Sequence, residues 1–365
     1  MKSKLNDKLI IGLGEFLIRF TAERGTLIRE ARNYVANYGG SEANVIISLC
    51  HLGHKGRYIT RVSDDELGLG AIDYLKTQNV DTSFIQKRGQ HPLGTSIVEE
   101  GEGVRPSVVI YNRKWSSAAQ MRPENFDFES ILKDGCIFHV SGISLSISEK
   151  ARCTTIEAMK IAKKLGLKVS FDFNYRSKLL SIDDAKKIYP IVTNYADIVS
   201  ASKWDIKTLL GFSHDDKNFF NDACKEYGFD YIFSREREII SSREQIMQGF
   251  AYSKDETYIS DKYKFEIFDR IGAGDAFVAG YLHGLLKNKN DINQALRYGM
   301  ANCILEQTIL GDCARFSEDD LNSFLNSSLQ EVKRWILFFL VTHSCSKMTW
   351  VLFHKLDGQA NLINL

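Results

Sequence analysis

Short apolar runs alternate along this chain with longer stretches whose apolar residues recur every three or four positions. The first kind fits a strand buried on both faces, the second an amphipathic helix. Residues 9–13, 57–62, 137–140, 168–173 and 198–200 read as strands, and residues 42–52, 68–78 and 154–165 as helices. This alternation predicts an α/β fold with a mostly parallel sheet flanked by helices. Ligands of such folds bind beyond the carboxyl ends of the strands. Gly14, Asp172, Asn174 and Arg176 all follow strands and are expected to converge at that edge. Residues 16–34 and 94–113 break the alternation, being strand-rich with turn glycines. On the residues alone, plain hairpins and a small covering sheet fit them equally.

Composition narrows the picture only a little. At 365 residues the chain can bury one large core with a small appendage. A formal net charge of +1 sets up no field to steer nucleic acid or a membrane surface. Seven cysteines without a C-x-x-C pair fit the reduced thiols of a cytoplasmic protein, not a disulfide framework or zinc site. Residues 1–8 are polar and carry no secretory signal, and no low-complexity linker divides the chain. A late apolar run, residues 335–341, is far shorter than the ~20 residues of a membrane span.

Candidate chemistry concentrates in Asp269-Arg270-Ile271-Gly272-Ala273-Gly274-Asp275-Ala276-Phe277, which opens into an apolar helical run over residues 277–286. A helix N-terminus presents unpaired N–H groups and positive potential. Gly272, Ala273 and Gly274 leave that end uncovered, so an anion can reach the backbone. Asp275 would repel a merely bound phosphate. It makes sense as a group that takes a proton from an alcohol attacking a phosphoryl group held there. No Walker A sequence is present, so this is not a P-loop enzyme.

This stretch resembles the C-terminal signature of the ribokinase-like (PfkB) carbohydrate kinases. Further marks appear in order: Gly12-Leu13-Gly14-Glu15, then Gly39-Gly40-Ser41-Glu42-Ala43-Asn44 and a helical run to Leu52-Gly53. Within the family the chain is most similar to the 2-keto-3-deoxygluconate kinases. Arg105-Pro106-Ser107 with Tyr111-Asn112-Arg113, Phe171-Asp172-Phe173-Asn174-Tyr175-Arg176 and Thr308-Ile309-Leu310-Gly311-Asp312 carry that likeness. The resemblance implies a three-layer kinase domain over residues 1–330. It implies a β-sheet lid from residues 15–37 and 92–115, which in many members also forms a homo-oligomer contact. Residues 331–365 fall outside the pattern as a C-terminal extension.

The same resemblance assigns roles. Asp275 is the implied general base and Gly272, Ala273 and Gly274 the anion hole. Gly40, Asn44, Tyr111, Arg113, Asn174, Arg176 and Asp312 would contact the sugar, with Arg113 and Arg176 suited to a carboxylate. Ser202, Arg235, Ile271, Gly272, Gly274 and Asn302 would contact ATP, used with Mg²⁺ and in some members a monovalent cation. Two departures stand out. The family's Asn-x-x-Glu, tied to Mg²⁺, aligns with Ser202-Lys203-Trp204-Asp205, leaving Asp205 as an indirect metal contact. A strand over residues 231–234 ends in Arg235-Glu236 where many relatives carry Gly-x-x-Gly. The expected activity is ATP-dependent phosphorylation of a sugar acid, 2-keto-3-deoxygluconate first. A neutral-sugar kinase of fructokinase or ribokinase type, or a catalytically weak sugar-binding protein, are the rivals.

Overall fold

The computed structural model describes residues 8–213, 217–241, 243–288, 291–326, 351–356 and 359–364. The chain forms two units, Met1–Leu325 and Asn326–Leu365. In the second, Val351–Leu356 pairs antiparallel with Gln359–Asn364. The apolar run over residues 335–341 lies outside the described residues. Among the described residues no helix is long and apolar enough to cross a membrane, and the six described cysteines are free.

The first unit is built on a ten-stranded sheet. From one edge, Val80–Asp81, Lys55–Ile59, Leu9–Leu13, Gly135–Ser141, Lys168–Asp172, Ile198–Ser200 and Tyr231–Ile239 lie side by side in parallel. Glu244–Tyr252 then pairs antiparallel and carries Thr257–Ile259 and Tyr263–Glu266. Strand residues alternate between two cores. Ile11, Phe138 and Ile232 face one cluster, whereas Ile10, Ile137 and Phe233 face the other. Burial on both faces is why these strands read as continuous apolar runs rather than alternating ones. Chain order reverses between Leu9–Leu13 and Gly135–Ser141, which opens a crevice at their carboxyl ends.

A separate four-stranded sheet runs in the order Tyr34–Gly39, Leu17–Ala22, Gly94–Glu99, Val108–Asn112. Its two strand-rich segments are therefore not plain hairpins, because Leu17–Ala22 and Gly94–Glu99 pair in parallel across the join. Two other expectations shift. The strand expected at residues 57–62 divides into Lys55–Ile59 and Arg61–Val62, which enter different sheets. The strand expected to stop at residue 234 continues to Ile239, pairing residue by residue with Glu244–Tyr252. The alternating Arg235-Glu236-Arg237-Glu238 sequence suits an extended ribbon, and residues 237–243 hold no glycine to turn the chain.

The glycine-rich turn leads into the helix Ala273–Lys287, packed against Ile292–Glu306. Their crossing is close because Gly284 faces Ala295, whose Cα would lie 2.4 Å from an added Cβ. In an isolated helix, Gly→Ala gains about 1 kcal/mol. Here the neighbour is backbone, which cannot swing away, so overpacking of about 1–3 kcal/mol outweighs the gain. Gly284→Ala should therefore lower the urea midpoint with an unchanged slope; a raised midpoint would show that the helices can separate freely.

Candidate active site

Beyond the carboxyl ends of the parallel strands lies a cleft of about 680 Å³, roofed by Val109 and Tyr111 of the small sheet. Its floor carries the N-terminus of Ala273–Lys287. Gly272 precedes that helix at φ 90, with no side chain capping the first turn. A side chain would be strained at that φ, and its Cβ would lie 2.1 Å from the Asp312 carbonyl oxygen. The first N–H groups of the helix thus face a space in which an anion can sit.

Asp275 stands in that first turn, only 8% exposed. Ser41 Oγ and Asn44 Nδ2 each donate a hydrogen bond to its carboxylate at 2.8 Å. Asn174 Nδ2 donates to Ser41 Oγ, also at 2.8 Å. Asn174 can reach because its backbone takes φ 36, in the left-handed region that asparagine tolerates better than most residues. Burial raises the Asp275 pKa to about 7, helped by the negative charges of Asp172 and Glu42 and opposed by the Asn44 and Ser41 bonds. Such a group is half ionised near neutrality, the condition for moving a proton in either direction. Burial also lifts Asp172, to about 6, against a Ser200 hydrogen bond and the Arg235 and Arg176 charges.

Behind the turn a second group of carboxyls gathers. Arg19, buried on a lid strand, lies 2.7 Å from Asp312 and 3.4 Å from Asp269. Burial raises Asp312 to about 6 against the pull of Arg19. Glu306 is fully buried beside them and is pushed up to about 10, so it stays protonated at neutral pH.

Most of the expected residues meet in the cleft: Gly40, Asn44, Tyr111, Arg113, Asn174, Arg176, Ser202, Asp205, Arg235, Ile271, Gly272, Gly274, Asp275 and Asp312. Ala273 is buried between the two glycines. Asn302 does not line the cleft. It sits on the helix behind Ala273–Lys287, fully buried, donating to Ser48 Oγ and the Ala276 carbonyl. Arg113 is already ion-paired with Glu15, which also accepts from Ser116. Arg176 is exposed and donates a hydrogen bond to the neighbouring Tyr175 carbonyl. Asp205 accepts from both the N–H and the hydroxyl of Ser202, closing a capping box on the helix Lys203–Leu209.

Sequence reasoning missed Arg19, Ser41, Arg237 and Arg270, all of which line the cleft. Two left a signal. Arg19 interrupts an apolar strand run, where an inward charge needs a buried partner. Arg237 follows Arg235 at the two-residue spacing that places both on one strand face.

Comparison with known proteins follows the same lines. The description "pfkB family carbohydrate kinase" matches residues 7–314. The chain belongs to that family. Among relatives of this carbohydrate kinase, the 2-dehydro-3-deoxygalactonokinase of Haloferax volcanii is 28% identical over 316 residues, 87% of this chain and 96% of the relative. The 5-dehydro-2-deoxygluconokinase of Shouchella clausii is 27% identical over 297 residues, 80% and 87% of the two chains. The crystal structure of 2-dehydro-3-deoxygluconokinase from Thermotoga maritima superposes with a TM-score of 0.84 at 27% identity, covering 88% of this chain and 99% of that one.

The buried ion pair gives this kinase a testable weak point. Arg19→Ala would strand Asp312 and Asp269 without their cation, a loss of about 3–5 kcal/mol for a broken buried pair. Asp312 already has a folded pKa above its unfolded value. Its penalty is therefore largest above that pKa and is relieved as pH falls and the carboxyl protonates. Urea titrations at pH 8 and pH 5 should show the variant's deficit shrinking at the lower pH. An equal deficit at both would mean that the carboxylates are not what the mutation exposes.

Proposed function

We propose that this kinase transfers the γ-phosphoryl group of MgATP to a hydroxyl of a small sugar acid, 2-keto-3-deoxygluconate first, giving the 6-phosphate. The observation that carries the reading is Asp275, buried, with a pKa raised to about 7, in the first turn of an uncapped helix. A base that is ionised near neutrality can accept the proton of the attacking hydroxyl. The N–H groups at Gly272 to Gly274 receive the negative charge that builds up on the phosphoryl oxygens. Ser41 and Asn44 hold the carboxylate in one rotamer, leaving the proton-accepting position to be fixed by geometry rather than by chance.

The acid preference rests on the named relatives and on charge. All three act, by their names, on dehydro-deoxy sugar acids or their galacto counterpart. Arg176, exposed and bonded only to a neighbouring carbonyl among the described residues, is the guanidinium best placed to meet a carboxylate, whereas Arg113 shares its charge with Glu15. Gly40, Asn44, Tyr111, Asn174 and Asp312 would surround the sugar hydroxyls. Ser202, Arg235 and Ile271 lie toward the nucleotide. No group of three or more His, Cys, Asp or Glu that could hold a metal occurs among the described residues. Magnesium would enter with the nucleotide, shielding the phosphate charge.

Two measurements test it. Asp275→Asn should lower kcat by roughly 10²–10⁴-fold, the usual worth of a general base, with ATP affinity kept. In the intact enzyme kcat should fall below about pH 7 as Asp275 protonates. Ser41→Ala removes a bond to the charged form, so it should move that acidic limb upward. A variant at position 275 keeping a tenth of the rate, or a limb that Ser41→Ala leaves in place, would take the base role from Asp275.

The substrate class is tested by kcat/KM for 2-keto-3-deoxygluconate and for fructose, in the intact enzyme and in Arg176→Ala. The acid should be preferred. Loss of one charge-assisted contact should cost it on the order of 2–4 kcal/mol, and fructose much less. Preference for fructose, or equal losses, would put the enzyme with the neutral-sugar kinases.

A further inference from the structure

On the nucleotide side the cleft holds an arrangement of charge that its altered metal-linked motif makes significant. The strand Tyr231–Ile239 runs past the glycine-rich turn and sends Arg235 and Arg237 into the cleft from one face. Arg270, at the start of the turn, lines the same space. The Arg235 guanidinium lies 5.5 Å from the Phe277 ring centroid. Its Nη2 would be 3.2 Å from a Cβ on Gly274, so it rests against the uncapped helix N-terminus itself. Arg235 makes no hydrogen bond or ion pair among the described residues. Beside it, just past the neighbouring parallel strand Ile198–Ser200, Asp205 is turned inward to Ser202, with one carboxylate oxygen accepting both the N–H and the hydroxyl at 2.8 and 2.6 Å. A carboxylate committed in this way is poorly disposed to hold metal-bound water. Cationic side chains gather next to this closed pair, with Arg237 shifted downward by burial and by the charges of Arg235 and Arg270. An anion entering this space would be attracted by them.

We infer that Arg235 is a catalytic residue that contacts the phosphoryl group in flight, supplying as a fixed guanidinium the charge that this chain's Ser202–Asp205 pair no longer directs through metal. The inference rests on the phosphoryl-transfer reading above. In the step, the sugar hydroxyl gives its proton to Asp275 while its oxygen forms a bond to the γ-phosphorus. The bond from that phosphorus to the β,γ-bridging oxygen breaks, and ADP leaves with the electron pair. Arg235 stays protonated throughout and bonds to the peripheral oxygens, where charge is spread in the transition state. Phe277 holds the guanidinium plane in place from beneath. A lysine there would keep the charge and lose the planar fork.

The experiment uses the full chain with Arg235→Gln and Arg235→Lys. Affinities for MgATP and MgADP are measured by calorimetry without sugar, and kcat and KM with 2-keto-3-deoxygluconate. Arg235→Gln should lower kcat on the order of 10³-fold, as for other arginines serving a transferred phosphoryl group. It should weaken MgATP about tenfold or more while leaving MgADP within about threefold, since only ATP carries the contacted group. The sugar KM should hardly move, and Arg235→Lys should regain part of both losses. Equal weakening of ATP and ADP, or a kcat within about threefold of the unaltered enzyme, would overturn the inference. If the sugar acid supports no turnover at all, the substrate reading fails. The ATP-against-ADP comparison still decides the arginine.

Discussion

One buried carboxylate organises the cleft. Asp275 is reached by Ser41 and Asn44 from one helix start, and through Ser41 by Asn174 from the loop after a central strand. The carboxylate itself belongs to the first turn of a third element, Ala273–Lys287. An acid in such burial would simply take up a proton unless donors offset the desolvation. The two hydrogen bonds are that offset, and their balance with burial leaves the group near pKa 7. Holding the asparagine amide in place requires left-handed backbone at Asn174, a strain of about 1–3 kcal/mol for a residue other than glycine. The rest of the site is arranged so that this strain is tolerated: Tyr189 donates its hydroxyl hydrogen to the Phe173 carbonyl, one residue before the strained position.

Charge in the cleft is divided by function. Carboxyls cluster on the floor and behind the turn, where burial keeps Glu306 neutral and brings Asp172, Asp275 and Asp312 close to neutrality. Guanidiniums line the walls. Two of them, Arg19 and Arg113, are consumed by buried acids. Arg176, Arg235 and Arg237 also line the cleft. On the sugar-acid reading proposed above, such a site has to hold two anions apart, and cations distributed around the cleft would do so.

Much of this was legible in the chain, and for a local reason. The turn at Gly272 to Asp275 and the strand ends at Gly14 and Asp172 are set by short-range spacing, so their placement follows from periodicity and turn chemistry, whereas the double glycine before Ser41 stood out by its likeness to the family. What was not legible depends on partners far away in sequence. Arg113 reads as a free clamp until Glu15 is seen beside it, and Asp205 reads as a metal contact until Ser202 closes on it. The family resemblance makes Asn302 a nucleotide contact. Its amide instead bonds Ser48 and the Ala276 carbonyl, tying the back of the anion-hole helix to the helix Ser41–His51. The continuation of a strand through Arg235 was written in an alternating pattern, but its pairing with Glu244–Tyr252 decided it.

The lid adds a further constraint. It carries Arg19 on Leu17–Ala22 and Arg113 just past Val108–Asn112, and both meet acids in the buried base of the cleft. Buried ion pairs add little net stability, since desolvation offsets most of their attraction. They are demanding about position, because displacing either partner leaves a charge with neither water nor counter-ion. Asp269 and Asp312, the acids that Arg19 meets, flank the glycine-rich turn in space. The position of the small sheet, whose Tyr111 and Val109 line the cleft, is thus tied to the carboxyls that set the electrostatics behind the glycine-rich turn. Removing Arg19 from between them would raise the negative potential behind the turn and disfavour an anion at the uncapped helix start. Through that one guanidinium the position of the small sheet and the electrostatics of the glycine-rich turn are coupled.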